Sequence, residues 1–342
     1  MNRAEEYYRS FFESLNVEMD EDEIAGVLHR IDQRNVTDSD QSTFDFEILH
    51  RMGNEPLIIE QKIIDALIEV ENLNFDLAFV SIYANQMNAA SASLGKDQAI
   101  VVDELFAYTL IKFFLTVFAL SYDKSSENFG RCIGSCFELL DLQGRKHLIG
   151  EGDHDEHELM ISLPENVLGH AANSFWIALT FLMGHEIYHV QAKKTDDKST
   201  DGIQDELAAD TYGYKILIDM IQAQKENRIP TDIQIFYETY YLVPVMVFEY
   251  FAFLDFYRDL CGETYSYTTY PVPGERIENI FSLFDDIPDD FDTYLGNELL
   301  NNFYESIDLL KEQIEIKKRL GKLEVPEYIP DLIRMDKSKK TS

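Results

Sequence analysis

The chain of 342 residues is expected to adopt an α+β fold that is predominantly helical, and three observations carry that expectation. Most apolar side chains recur at helical spacing over long segments. Only a few short stretches show the β-branched, aromatic or alternating pattern of strands. A hydrophobic content of 45% with 13% aromatics is enough to build one large core or two modest ones, despite the charge of the chain.

The segment 1–70 reads as an acidic helical N-terminal region, interrupted by the polar break RNVTDSDQST (Arg34 to Thr43) and resuming as helix from Phe44 to Val70. A central domain follows, 71–285. It opens with two strand candidates, LNFDLAFVSIYA (Leu73 to Ala84) and QAIVV (Gln98 to Val102). The apolar helix DELFAYTLIKFFLTVFALSY (Asp103 to Tyr122) comes next, and HELMISLP (His157 to Pro164) alternates apolar with polar residues as a third strand. From Glu165 one long helix is expected, with Trp176, Leu179 and Met183 facing the core. TDDKSTDG breaks it, and a second helix is expected from about Asp205. More helix fills Ile233 to Tyr257 and Asp289 to Leu320, so 286–342 reads as a helical extension with a basic, disordered tail, MDKSKKTS.

Composition narrows the function. A formal net charge of −34 repels a nucleic-acid backbone, so nucleic-acid binding is not expected. Cys132, Cys136 and Cys261 have no metal-ligand spacing and read as free thiols in a reducing compartment. The first residues lack the basic flank and apolar stretch of a signal peptide. Two apolar segments, Asp103 to Tyr122 and Tyr241 to Tyr257, carry internal charges (Lys112; Glu249 and Asp255) and read as buried core helices without membrane insertion. A soluble, cytoplasmic protein is expected.

The chemistry concentrates between Gly184 and Ile216, GHEIYHVQAKKTDDKSTDGIQDELAADTYGYKI. Residues four apart share a helix face, so His185 and His189 can turn ring nitrogens to one ion. Glu186 lies beside that face, within reach of a water on the ion, as H-E-x-x-H on a helix requires. A catalytic zinc takes three protein ligands and keeps an open position, and two histidines with one glutamate are a known set. Glu206 follows after a gap (190 to 205) long enough to end one helix and bring a second across it. Asp210 shares the face of Glu206 and is placed to accept the second ring N–H of a liganding histidine.

HEIYH followed by DELAAD resembles the gluzincin zinc metallopeptidases, whose pattern is H-E-x-x-H with E-x-x-x-D on the next helix. The resemblance implies a zincin-like core, with a small sheet and two metal-bearing helices. It also implies Zn2+ held by His185, His189 and Glu206, with Glu186 as general base and Asp210 orienting a ligand. YPVPGERI (Tyr270 to Ile277) is similar to an H-P-x-x-x-x-R-I stretch of that group, with Tyr270 in place of histidine. HELMISLP sits where those enzymes keep the strand that pairs with substrate. Among soluble members the chain resembles the Lit-type phage-exclusion peptidases. The implied activity is hydrolysis of a protein or peptide substrate inside the cell, in a defence or regulatory role and restrained until a partner arrives. Tyr270 and Arg276 are candidates to stabilise the oxyanion, with Tyr212 and Tyr214 as further ones.

Other readings compete. Two histidines and a carboxylate also make the facial triad of Fe(II) oxygenases, in which Glu186 would have no task. A zincin fold kept only for binding would not need that base either. The cluster EGDHDEHE (Glu151 to Glu158), with His154 and His157, reads as a solvated acidic loop.

Overall fold

The computed structural model describes residues 56–73, 77–82, 89–94, 97–123, 132, 163–195, 202–229, 235–261, 270–284, 287–288, 291 and 293–320. Its elements are α1 (Pro56–Val70), β1 (Leu77–Ile82), β2 (Ala89–Leu94), β3 (Asp97–Asp103), α2 (Glu104–Tyr122), α3 (Glu165–Thr195), α4 (Gly202–Lys225), a single 3-10 turn (Glu238–Tyr240), α5 (Val243–Cys261), α6 (Pro273–Phe281) and α7 (Thr293–Arg319). The fold is α+β and predominantly helical, as expected.

Both strand candidates at the start of the central region form, and they pair with each other. β1 and β3 run parallel, Leu77 opposite Gln98 and Ile82 opposite Asp103. β3 is the middle strand of three, with β2 antiparallel on its other side. Sequence reading did not anticipate β2, AASASL, because alanine and serine carry little β preference. It is a strand by virtue of the hairpin it makes with β3 and of the α3 surface it lies against. The expected strand from His157 to Pro164 falls largely outside the described residues, as do residues 1–55 and the cluster holding His154 and His157.

The helices bury one continuous apolar core. α2 follows β3 directly and meets α5 and α7 at Phe113, whose ring lies 5.0 Å from Tyr250, 5.6 Å from Phe253 and 5.8 Å, edge-on, from Phe303. Thr109 Oγ1 bonds Tyr250 Oη at 2.9 Å, satisfying the phenol inside this aromatic layer. α3 crosses behind it, with Trp176, Leu179 and Met183 buried as their spacing predicts. Phe181 stands edge-on to Phe248 of α5 at 5.6 Å.

α3 and the stretch Glu238–Leu260 are long and apolar enough to cross a membrane by length and composition. Their most apolar windows are 83% and 67% buried inside the fold, the burial of core helices. α7 is amphipathic: Leu299, Leu300, Phe303, Ile307, Leu310 and Ile314 form its buried stripe, and Lys317, Lys318 and Arg319 complement the dipole at its C-terminus.

Two connections matter for the site. α4 begins at Gly202, earlier than the expected start near Asp205, so Asp205 occupies its first turn. It ends on Asn227, whose φ of 55° is the left-handed cap; Arg228 N–H reaches Ala223 O at 2.8 Å to close the last turn. The second connection, α6, was not anticipated as a helix. Pro273 at its first turn and Glu275 Oε2, which accepts the Val272 N–H at 3.2 Å, set its start.

Candidate metal centre

The site is made where α3 and α4 touch. At Gly184 and Gly213 the two backbones meet with no side chain between them: a Cβ on Gly184 would stand 2.9 Å from Gly213 Cα. One on Gly213 would stand 2.7 Å from Phe181 O and 2.9 Å from His185 N. Such an approach is open only to glycine, and it holds the middle of α4 against the histidine turn of α3.

His185 and His189 stand one turn apart on α3, as their spacing requires. Their Nε2 atoms face each other at 3.1 Å, and Glu206 enters from α4. Glu206 Oε2 lies 3.3 Å from His185 Nε2, and its Oε1 lies 3.6 Å from His189 Nε2. One donor atom from each of the three residues lies within 4.8 Å of the others. Ligands at zinc distances of 2.0–2.1 Å in a tetrahedron are separated by roughly 3.3 Å, so this donor set fits one small divalent ion. The chemistry fits as well, since two imidazoles and a carboxylate suit a borderline cation.

Asp210, fully buried, stands behind His185, whose Nδ1 donates to Oδ1 at 2.9 Å. That bond leaves Nε2 to face Glu206 and His189, the arrangement a liganding histidine needs. Arg276, reaching in from α6, grips Asp210 with its Nε at 2.7 Å from Oδ2 and a second nitrogen on Oδ1. The guanidinium also lies over the Phe248 ring, 4.3 Å from its centroid. Burial alone would raise the Asp210 carboxyl, but Arg276 beside it and the His185 bond hold it below the usual range.

The electrostatics follow from two buried carboxylates, Glu186 and Asp210, and the half-buried Glu206 around few cations. Burial works against a charged His185, but the Asp210 and Glu206 carboxylates outweigh it and push the imidazole up to about 10. Burial likewise opposes charge on Glu206, and the facing His185, Arg276 and His189 bring it down to about 2. A proton on His185 therefore balances the pocket when no metal does, and a metal must displace it. Glu186 is buried on the same turn as His185, and, against the effect of burial, Arg276 is held above its usual range chiefly by Asp210, then by Glu206 and Glu186.

Of the residues singled out in the sequence, His185, His189, Glu206, Asp210 and Arg276 come together here, with Glu186 on the same helical turn. Arg276 enters as the partner of Asp210. Tyr270 is partly buried three residues before α6. Tyr212 Oη accepts a bond from Gln191 at 2.7 Å on the α3 side, while Tyr214 is buried against Phe284, ring centroids 6.2 Å apart. Sequence reasoning missed Gly184 and Gly213, Phe248, and Asp205. Asp205 Oδ2 lies 3.7 Å from His189 Nδ1. An aspartate just before Glu206 was the available signal.

The family model described as Peptidase U49 matches residues 154–295, the stretch that holds every residue of this cluster. No curated protein and no solved structure gives a significant match. The family match supports a peptidase, acting on a protein or peptide, with a possible metal site at His185, His189 and Glu206.

Proposed function

We propose that the chain is a zinc-dependent endopeptidase of the gluzincin kind, with His185, His189 and Glu206 as the metal ligands. The observation that carries this reading is the convergence of the three donors, at separations of 3.1, 3.3 and 3.6 Å, beside a buried glutamate. Zinc, when bound, supplies an acidified water and a Lewis acid for the scissile carbonyl. Glu186, next to His185 and shielded from bulk water, accepts the proton of the attacking water and passes it to the leaving amine. Asp210 holds the His185 tautomer, and Arg276 keeps Asp210 ionised and in place. Tyr270 is the residue proposed to donate to the oxyanion, since Arg276 is already engaged by Asp210.

The test is the metal content of the purified protein beside Glu186→Gln and His189→Ala variants, each added to whole-cell lysate. One zinc in the first two, none in the third, and new protein fragments only with the unmodified chain are expected. Iron in place of zinc would replace this reading with the oxygenase one, and no metal in any would end it. We propose further that the enzyme acts in the cytoplasm on few targets and waits for a partner, in a defence or regulatory role. Cysteines without the spacing of a disulfide framework, and the strong field of a chain with a net charge of −34, motivate that reading. Rapid cleavage of generic substrates by the isolated protein would refute it.

A further inference from the structure

Resting on the metal reading above, the two liganding imidazoles are held by carboxylates of different character. His185 leans on Asp210, whose charge is already matched by the bidentate Arg276. His189 has Asp205 on its Nδ1 side, with Oδ2 at 3.7 Å. Tyr188 donates its hydroxyl to the other oxygen of Asp205 at 3.4 Å. The Tyr188 ring also stands edge-on to His189, centroids 5.6 Å apart at 73°. Among the described residues, no lysine or arginine pairs with Asp205.

We infer that Asp205, steadied by Tyr188, is the positioning residue for His189 and the carboxylate that lends the metal centre its balancing negative charge. Two neutral imidazoles and Glu206 leave one positive charge on a dication, and a carboxylate–imidazole pair brings that remainder close to neutral. Asp210 cannot make that contribution in full, because Arg276 cancels it. The geometry also explains why the two histidines can share one ion without sharing one orienter. Each Nδ1 points away from the common Nε2 side towards its own carboxylate on α4, Asp210 at hydrogen-bond distance from His185 (2.9 Å) and Asp205 at ion-pair distance from His189 (3.7 Å).

The rival account is that Asp205 merely places a negative charge in the first turn of α4, where it stabilises the helix start. The experiment is titration of the metal-free chain with Zn2+ by chelator competition, and with Co2+ by its visible absorption. It is run on the unmodified protein and on Asp205→Asn, Asp205→Ala and Tyr188→Phe, with thermal melting of each metal-free variant alongside. We expect Asp205→Ala to weaken zinc binding by about 10–100-fold, the effect typical of losing such a partner. Asp205→Asn, which keeps an acceptor, should lose less. Tyr188→Phe should shift affinity in the same direction by a smaller factor, with an altered cobalt spectrum. Unchanged zinc affinity and cobalt spectrum in all three variants, with only the metal-free melting temperature lowered, would overturn the inference and leave the helix-start role. If the unmodified chain itself binds neither ion, the metal reading has failed first, and this one with it.

Discussion

Gly213→Ala tests the packing that makes the site. The added methyl would meet Phe181 O at 2.7 Å and His185 N at 2.9 Å, where ordinary contact begins at 3.4 Å. Both are backbone atoms of α3 and cannot rotate aside, so the helices must part by about 0.7 Å, the shortfall at Phe181 O. Overpacking of this kind costs about 1–3 kcal/mol, against which alanine returns up to about 1 kcal/mol of helix propensity. The fold should therefore survive with a melting temperature only a few degrees lower. The site should suffer more, because Glu206 and Asp210 move with α4 while His185 and His189 stay on α3. A displacement near 1 Å can cost about 100-fold in rate, so a loss of ~10–100-fold in kcat/KM with weaker zinc binding is expected. Gly169→Ala, on the same α3 with nothing within 4 Å of the new methyl, is the control and should be neutral or slightly stabilising. A Gly213→Ala protein with unchanged zinc affinity and turnover would refute the claim that this contact sets the ligand geometry.

Three further outcomes are expected. Arg276→Ala leaves the buried Asp210 with the His185 bond alone, which should cost up to about 3 kcal/mol in chemical denaturation, and Arg276→Lys should recover only part because it lacks the two-pronged grip. An unchanged denaturation midpoint in Arg276→Ala would show that Asp210 does not depend on it. In the metal-free chain His185 is held up to about 10, above an unfolded value of about 6.5. Its stabilisation is thus complete below pH ~6.5 and lost as pH rises towards 10, so melting temperature should fall over that window without zinc and hold with it. A metal-free melting temperature flat from pH 7 to 10 would count against the assignment. Cys132, fully buried, has its thiol pushed up to about 12 by burial first and the nearby Asp123 charge second. It should resist iodoacetamide at pH 8 in the native protein and react promptly in denaturant, and mapped labelling of native Cys132 would refute that.

The residues of the candidate metal cluster were legible in the sequence because their spacing is local. His185 and His189 declare a shared face by spacing alone, and Glu186 declares its place beside them. Glu206 and Asp210 needed only a second helix whose face is fixed by their own four-residue interval. β1 and β3 were legible for a similar reason, through β-branched and aromatic runs. β2 was not, since AASASL becomes a strand only because its neighbours supply the pairing. α6 was obscured by Pro271, Pro273 and Gly274, residue types that usually interrupt helices, although proline is well placed in a first turn. The role of Arg276 on Asp210 was out of reach for a different reason: it joins residues far apart in the chain, and no local pattern encodes which carboxylate a guanidinium will find.

The whole centre depends on one register between α3 and α4. α3 runs towards its end at Thr195 and α4 returns from Gly202, so contacts step down one helix as they step up the other. Gly184 meets Gly213, His185 meets Asp210, and His189 meets Asp205 and Glu206, in that order. A slip of one turn would leave His185 facing Glu206 without an orienting carboxylate and would bury Asp210 against an apolar stretch of α3, with its charge far from His185. Such a slip also carries both glycines out of contact and drives side chains into the backbone of the partner helix. The residues that choose the register are therefore the two that carry no chemistry. The sequence displays the donors openly, while the instruction that assembles them is the absence of a side chain at two positions.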